Sequence, residues 1–139
     1  MPSYEVRQCE GVGHEKWCIY VNGTCDHSIG EFNSREEAET TVRQLILREK
    51  VLAINPSATF EIPLPAQNRK YNGSALAVLD PSEGFGCGVA QTSGRGVYAL
   101  HTGKAFAAVM PQSSITVEYR DGGIKVEFPK AKERGGNER

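Results

Sequence analysis

The sequence predicts an α+β fold: an N-terminal βββα unit, then a mostly antiparallel β-sheet region, then a disordered C-terminal tail. Three observations carry this. A capped helical pattern begins at Ser34, an aromatic and β-branched strand, Trp17 to Val21, runs into Asn22-Gly23, and a regular hairpin pattern closes the chain over residues 115–128. The 139 residues suffice for one domain of ordinary size or two small lobes sharing a core.

Tyr4 to Cys9 alternates weakly as a first strand, and Gly11-Val12-Gly13 breaks it. Trp17, Ile19 and Val21 then share one face of a second strand by the period of two, with Cys18 and Tyr20 on the other. Asn22-Gly23 accepts the positive φ angles of a type I′ turn, so a third strand should return over about Thr24 to Phe32. Ser34-Arg35-Glu36-Glu37 is a capping box, in which Ser34 accepts from the amide of Glu37 and Glu37 reaches back. Ala38, Val42, Leu45 and Ile46 follow helical spacing, while Arg35, Glu39, Arg43 and Arg48 are expected to face water. Asn55-Pro56 sets the helix end near Ala53.

Residues 1–54 therefore form the βββα unit and 55–128 a β-rich region sharing or abutting the same core. Phe60, Ile62 and Leu64 alternate, but Pro63 and Pro65 confine them to an edge strand or extended loop. Ala75 to Leu79 is continuously apolar and reads as a buried strand. Five glycines punctuate residues 82–96, and short strands follow at Gly96 to Leu100 and Ala105 to Val109. Ile115, Val117 and Tyr119, then Ile124, Val126 and Phe128, alternate about a turn at Asp121-Gly122 or Gly122-Gly123. Residues 129–139 are rich in Lys, Glu, Arg, Gly and Asn, bury little, and are expected to be flexible.

The net charge of −1 divides into −3 over residues 1–54 and +2 over 55–139. This supplies no strong field for non-specific nucleic-acid binding. No window approaches 18 continuous apolar residues, which excludes a helical membrane span, and no signal-like lead is present, which points to the cytoplasm. Reduced thiols are then the expectation for the four cysteines.

Cys9, His14, Cys18, Cys25 and His27 crowd into the first 27 residues. Thiolates and imidazoles suit zinc, and Cys9, Cys18, Cys25 and His27 make one conceivable tetrahedron with His14 as a substitute. Their spacing is not that of paired zinc knuckles, so no metal is assigned and Cys18 is read as a small buried hydrophobe. Cys87 with His101 offers a thiolate pair on paper, but no family-specific frame surrounds it, and no catalytic residue is assigned.

Two resemblances bear on function. Trp17 to Gly23 followed by Gly30 to Ala38 resembles the βββα arrangement of arm-binding domains of phage integrases, which lay a three-stranded sheet in the major groove. That resemblance implies a sheet-type DNA-binding accessory protein. Here Arg7 and Lys16 stand among Glu5, Glu10, Glu15, Asp26 and Glu31, so nucleic acid is not the expected partner. Gly94-Arg95-Gly96-Val97-Tyr98-Ala99 resembles the Gly-x-Gly-Val/Ile-Tyr-Phe segment of ADP-ribosyltransferases, which implies a tyrosine stacked near the nicotinamide of NAD. The His-Gly pair expected upstream in that family is missing.

A binding role asks less of the residues. Glycine-rich loops let backbone amides approach an anion closely. Arg95, His101 and Lys104 would neutralise a phosphate, and Tyr98 or Phe85 would stack on a base. The expected protein is a small, non-enzymatic cytoplasmic binding protein, without a cofactor. It would act as an inhibitor or sequestering protein on a protein partner or a small phosphorylated molecule. Self-association is expected of so small a chain, and a phage or mobile-element accessory role is compatible with its composition.

Overall fold

The structure, a computed structural model, describes residues 3–9, 16–26, 28–80, 82 and 84–128; the tail expected to be flexible, 129–139, lies outside these. The fold is α+β, with one α-helix and two sheets among the described residues.

The small sheet is built on β2 (Trp17–Val21), which pairs antiparallel with β1 (Tyr4–Gln8) on one side. Asn22 and Gly23 take φ angles of 52° and 86°, the turn anticipated from Asn-Gly. The third strand is not continuous. It is split into β3 (Thr24–Cys25), facing Tyr20 and Val21, and β4 (Glu31–Phe32), facing Trp17 and Cys18. Asp26 explains the break: its carboxylate accepts from the Ser28 amide at 3.0 Å and its carbonyl from the Ile29 amide, so a local turn replaces the ladder.

Helix α1 spans Arg35–Leu52. Ser34 Oγ accepts from the Glu37 amide at 3.1 Å, while the Glu37 carboxylate reaches the amide of Asn33, one residue earlier than the usual box. The helix buries more than the single face expected: Ala38, Val42, Ile46, Leu47 and Val51 are all buried. The reason is its position between the two sheets. Val6 and Ile19 of the small sheet and Ala77, Ala90 and Leu100 of the large one join these helix residues in one core. Arg43 is a correction to the water-facing set. Its guanidinium is largely covered, and its Nε donates to the carbonyl of Phe85.

The large sheet has the order β10-β9-β6-β7-β8-β5, made of β5 (Thr59–Glu61), β6 (Lys70–Val78), β7 (Gly88–Gly94), β8 (Val97–Thr102), β9 (Ser114–Arg120) and β10 (Gly123–Glu127). All its pairs are antiparallel except β5 with β8. The stretch Ala105 to Val109 is not a strand; Lys104–Phe106 forms a 3-10 turn that drives Phe106 into the interior.

Strand β6 governs the shape. Its first half pairs with β9 and its second half with β7. Ala75 faces Gln91 and Ala77 faces Ala90, so Leu76 is an extra residue, and the alternation flips across it. Before the bulge, Tyr71 and Ala75 point into a second core; after it, Ala77 and Leu79 point to the helix. A Cβ on Gly73 would lie 2.1 Å from the carbonyl oxygen of Thr92, an approach only glycine permits. The sheet thereby curls. Tyr119 of β9 and His101 of β8 stand three strand steps apart, about 14 Å in a flat sheet, yet their side chains hydrogen bond at 2.6 Å. Tyr71, Val89, Ala99, Phe106, Val109, Ile115 and Val117 fill the hollow.

Candidate functional site

The residues with the richest chemistry sit inside the second core. His101 is fully buried on β8. The Gln91 amide nitrogen donates among the carbonyls of Ile115, Gly73 and Tyr71, at 2.9, 3.2 and 3.3 Å. That turns its oxygen to His101 Nε2, 2.8 Å away. His101 therefore carries its proton on Nε2 and accepts the Tyr119 hydroxyl at Nδ1. The ring stacks on Phe106 and Tyr119 at centroid distances of 5.3 and 5.6 Å, and Tyr71 meets it edge-on. Burial lowers the His101 pKa to about 4 and raises that of Tyr119, so both stay neutral. Both ring nitrogens are occupied, which leaves none to act as a base toward Cys87, half-buried beside the same core.

The five residues expected to line a ligand pocket are placed as follows. Tyr98 is buried on the helix side of β8, with Phe60 tilted against it at 6.3 Å. His101, on the opposite side, points away from it. Phe85 packs half-buried against the helix-side core. Arg95 is exposed in the turn before β8, and Lys104 is exposed after its far end. The strand between them spans about 20 Å, and alternation puts the two rings on different faces. Tyr98 and Phe85 thus share a core, while Arg95, His101 and Lys104 are not brought together.

No family model, no curated protein and no solved structure matches this chain. Function must be read from what the surface offers.

Beside edge strand β5 lies an open groove of about 460 Å³, lined by Arg48, Leu52, Ala58, Thr59, Phe60 and Ile62, with Leu100 as its floor. Ile62 and Leu64 are about half exposed there and beyond it, and Ile54 more so. The Arg48 guanidinium lies over the Phe60 ring at 5.3 Å, and no carboxylate pairs with it among the described residues. Thr59 donates to the Gly96 carbonyl, so by the alternation of a strand Phe60 directs its own N–H and C=O to the open side of β5. Sequence reasoning passed over this recess. The Phe60-x-Ile62-x-Leu64 alternation was its trace, but only the chain path brings Arg48 and Leu52 from the helix beside it.

Two further open recesses, of about 390 and 510 Å³, lie over β6, β9 and β10 and share Lys70, Glu118 and Arg120. Their charges are largely matched in place: Arg120 contacts Glu118 at 2.7 Å, and Arg69 contacts Glu61 at 3.5 Å.

The cysteines correct the expectation of reduced thiols. Cys9 and Cys18 form a disulfide, with Cα atoms 5.3 Å apart. Cross-strand pairing explains it: Arg7 faces Cys18, and the Cys9 amide donates to the Lys16 carbonyl two residues further along, so Cys9 and Cys18 are diagonal neighbours on one face of the β1–β2 pair. The Glu31 carboxylate lies within 4.8 Å of both sulfurs, but sulfurs bonded to each other offer no thiolate to a metal. Cys25 stands outside this group, and His14 and His27 lie outside the described residues. No described helix is long and apolar enough to cross a membrane.

Proposed function

We propose that this chain is a non-enzymatic binding protein that takes an acidic, apolar-rich segment of a protein partner into the groove beside β5. One observation carries the reading: the Arg48 guanidinium, which no carboxylate of the described residues pairs, stands at an apolar recess next to a strand edge with outward backbone groups. Apolar side chains would fill the space over Leu52, Phe60 and Ile62. A carboxylate would answer Arg48, and the backbone of an extended segment would meet Phe60. The non-enzymatic part rests on the inward placement of His101 and Tyr119, whose polar atoms are spent on each other and on Gln91. A cytoplasmic accessory protein of a phage or mobile element, the setting expected from composition, would meet such a segment on a host protein. The Cys9–Cys18 bond requires that binding be measured with and without reductant.

The test is amide chemical-shift mapping with synthetic peptides that combine alternating Leu, Ile or Phe with Glu, with neutral-residue controls, and separately with nucleotides and inorganic phosphate. Shifts centred on Thr59 to Ile62 with the acidic peptides, weakened about tenfold or more by Arg48→Glu or Ile62→Asp, are expected. Shifts with nucleotide or phosphate alone would favour the small phosphorylated ligand. Silence from all acidic peptides ends the proposal.

A further inference from the structure

We propose that the chain forms a two-fold symmetric dimer by pairing β10 with β10 of a second copy, in a single register centred on Val126. This is independent of the groove at β5, which lies at the other end of the sheet.

Strand β10 is the terminal strand, and no backbone hydrogen bond joins its outer side to another element among the described residues. The hairpin fixes which groups face outward. Arg120 and Gly123 close a two-residue turn in which Asp121 and Gly122 have φ angles of 53° and 81°. In such a turn the closing pair is hydrogen bonded, and alternation continues from it. Lys125 and Glu127 therefore direct their backbone groups to β9, while Ile124, Val126 and then Phe128 direct theirs to the open edge.

A strand of five residues can pair with its own copy in few ways. Centred on Val126, Val126 faces Val126 of the second copy once, on the axis, while Ile124 faces Phe128 and Lys125 faces Glu127, each of these two pairs occurring twice. Three features coincide in this register. The outward backbone groups meet as hydrogen-bonded pairs. Opposite charges face each other on the outer surface, where Lys125 and Glu127 are both well exposed. Ile124 and Phe128, which are 37% and 48% exposed, meet on the inner surface beside Val126, which already packs on the second core. That core would then continue from one copy into the other. A register centred on Lys125 sets lysine against lysine and turns the wrong backbone groups to the edge. An unprotected edge with exposed apolar residues ordinarily invites uncontrolled pairing; a self-complementary register converts it into a closed, isologous contact.

The experiment is sedimentation equilibrium on the full chain from about 1 to about 500 µM, since five paired residues per copy make a small interface of modest affinity. The wild type should show a monomer–dimer equilibrium in that range. Lys125→Glu sets carboxylate against carboxylate at both Lys125–Glu127 pairs and should weaken the dimer at least tenfold. Lys125→Glu with Glu127→Lys restores complementarity and should return the dissociation constant to within about threefold of the wild type. Both variants place the same residue opposite Glu118 within the hairpin, so that local effect is common to them; the Lys125–Glu127 contact within the strand, 3.3 Å, is lost in the single variant and re-formed with reversed charges in the double, a difference that the unfolding midpoints measure. Unfolding midpoints report whether the fold is kept. A wild type that stays monomeric throughout overturns the proposal. So does a dimer indifferent to Lys125→Glu, or a double variant that stays as weak as the single one.

Discussion

Replacing His101 by leucine tests the account of the second core most directly. The substitution keeps an apolar side chain of similar bulk but strands the Tyr119 hydroxyl and the Gln91 amide oxygen at a site with no solvent access. At about 1–3 kcal/mol for each unsatisfied buried group, and with loss of the stacking on Phe106 and Tyr119, His101→Leu should cost about 2–5 kcal/mol. Tyr119→Phe strands only the Nδ1 lone pair and should cost about 1–2 kcal/mol. In the double variant the hydroxyl is gone as well, and only the Gln91 oxygen remains unanswered. The double should therefore cost less than the two singles together, with a coupling of about 1–3 kcal/mol. Urea unfolding followed by far-UV circular dichroism and by fluorescence of Trp17, the single tryptophan, measures all four corners. Additivity within about 0.5 kcal/mol would refute the network, since independent costs mean that water or a rearranged side chain satisfies each group.

Two further outcomes follow from the same structure. Burial holds the folded pKa of His101 at about 4, below its ordinary value of 6.5, so between these the unfolded chain binds the extra proton. Stability should be fully present above about pH 6.5 and fall by about 3 kcal/mol as the pH drops toward 4, and His101→Leu should flatten that part of the profile; an equal slope in the variant contradicts the assignment. Alkylation of the unfolded protein without reductant should label Cys25 and Cys87 alone, and with reductant all four cysteines. Four labelled thiols in the untreated protein would show that the Cys9–Cys18 bond is absent under those conditions.

Local chemistry explains how much was legible from residue order. The Ser34 cap, the helix to Leu52, the Asn22-Gly23 turn and the last hairpin depend on neighbours within a few positions, and each forms near where the pattern put it. The break in the third strand also had a local cause, Asp26, whose side chain competes with the ladder for amides. Phe85, Arg95, Tyr98, His101 and Lys104 have the chemical types of a phosphate and base site along a glycine-rich stretch, but chemical type carries no information on which face each side chain takes. Strand periodicity alone, once β8 is known to be covered on both faces, sends Tyr98 and His101 into separate cores.

Residue order by itself determined the class of the fold, the position of its helix and its tight turns, because capping, periodicity and positive-φ residues act within one turn of chain. Tertiary structure alone decided the rest. The Leu76 bulge and the close approach at Gly73 curl the large sheet until β8 and β9 touch, and that curl, not any motif, buries His101 and Tyr119 against each other. The helix acquires a second buried side because a second sheet closes over it, and Arg48 and Phe60 become neighbours only there. Contacts between residues far apart in sequence depend on how whole elements pack, and no short window of sequence encodes that packing.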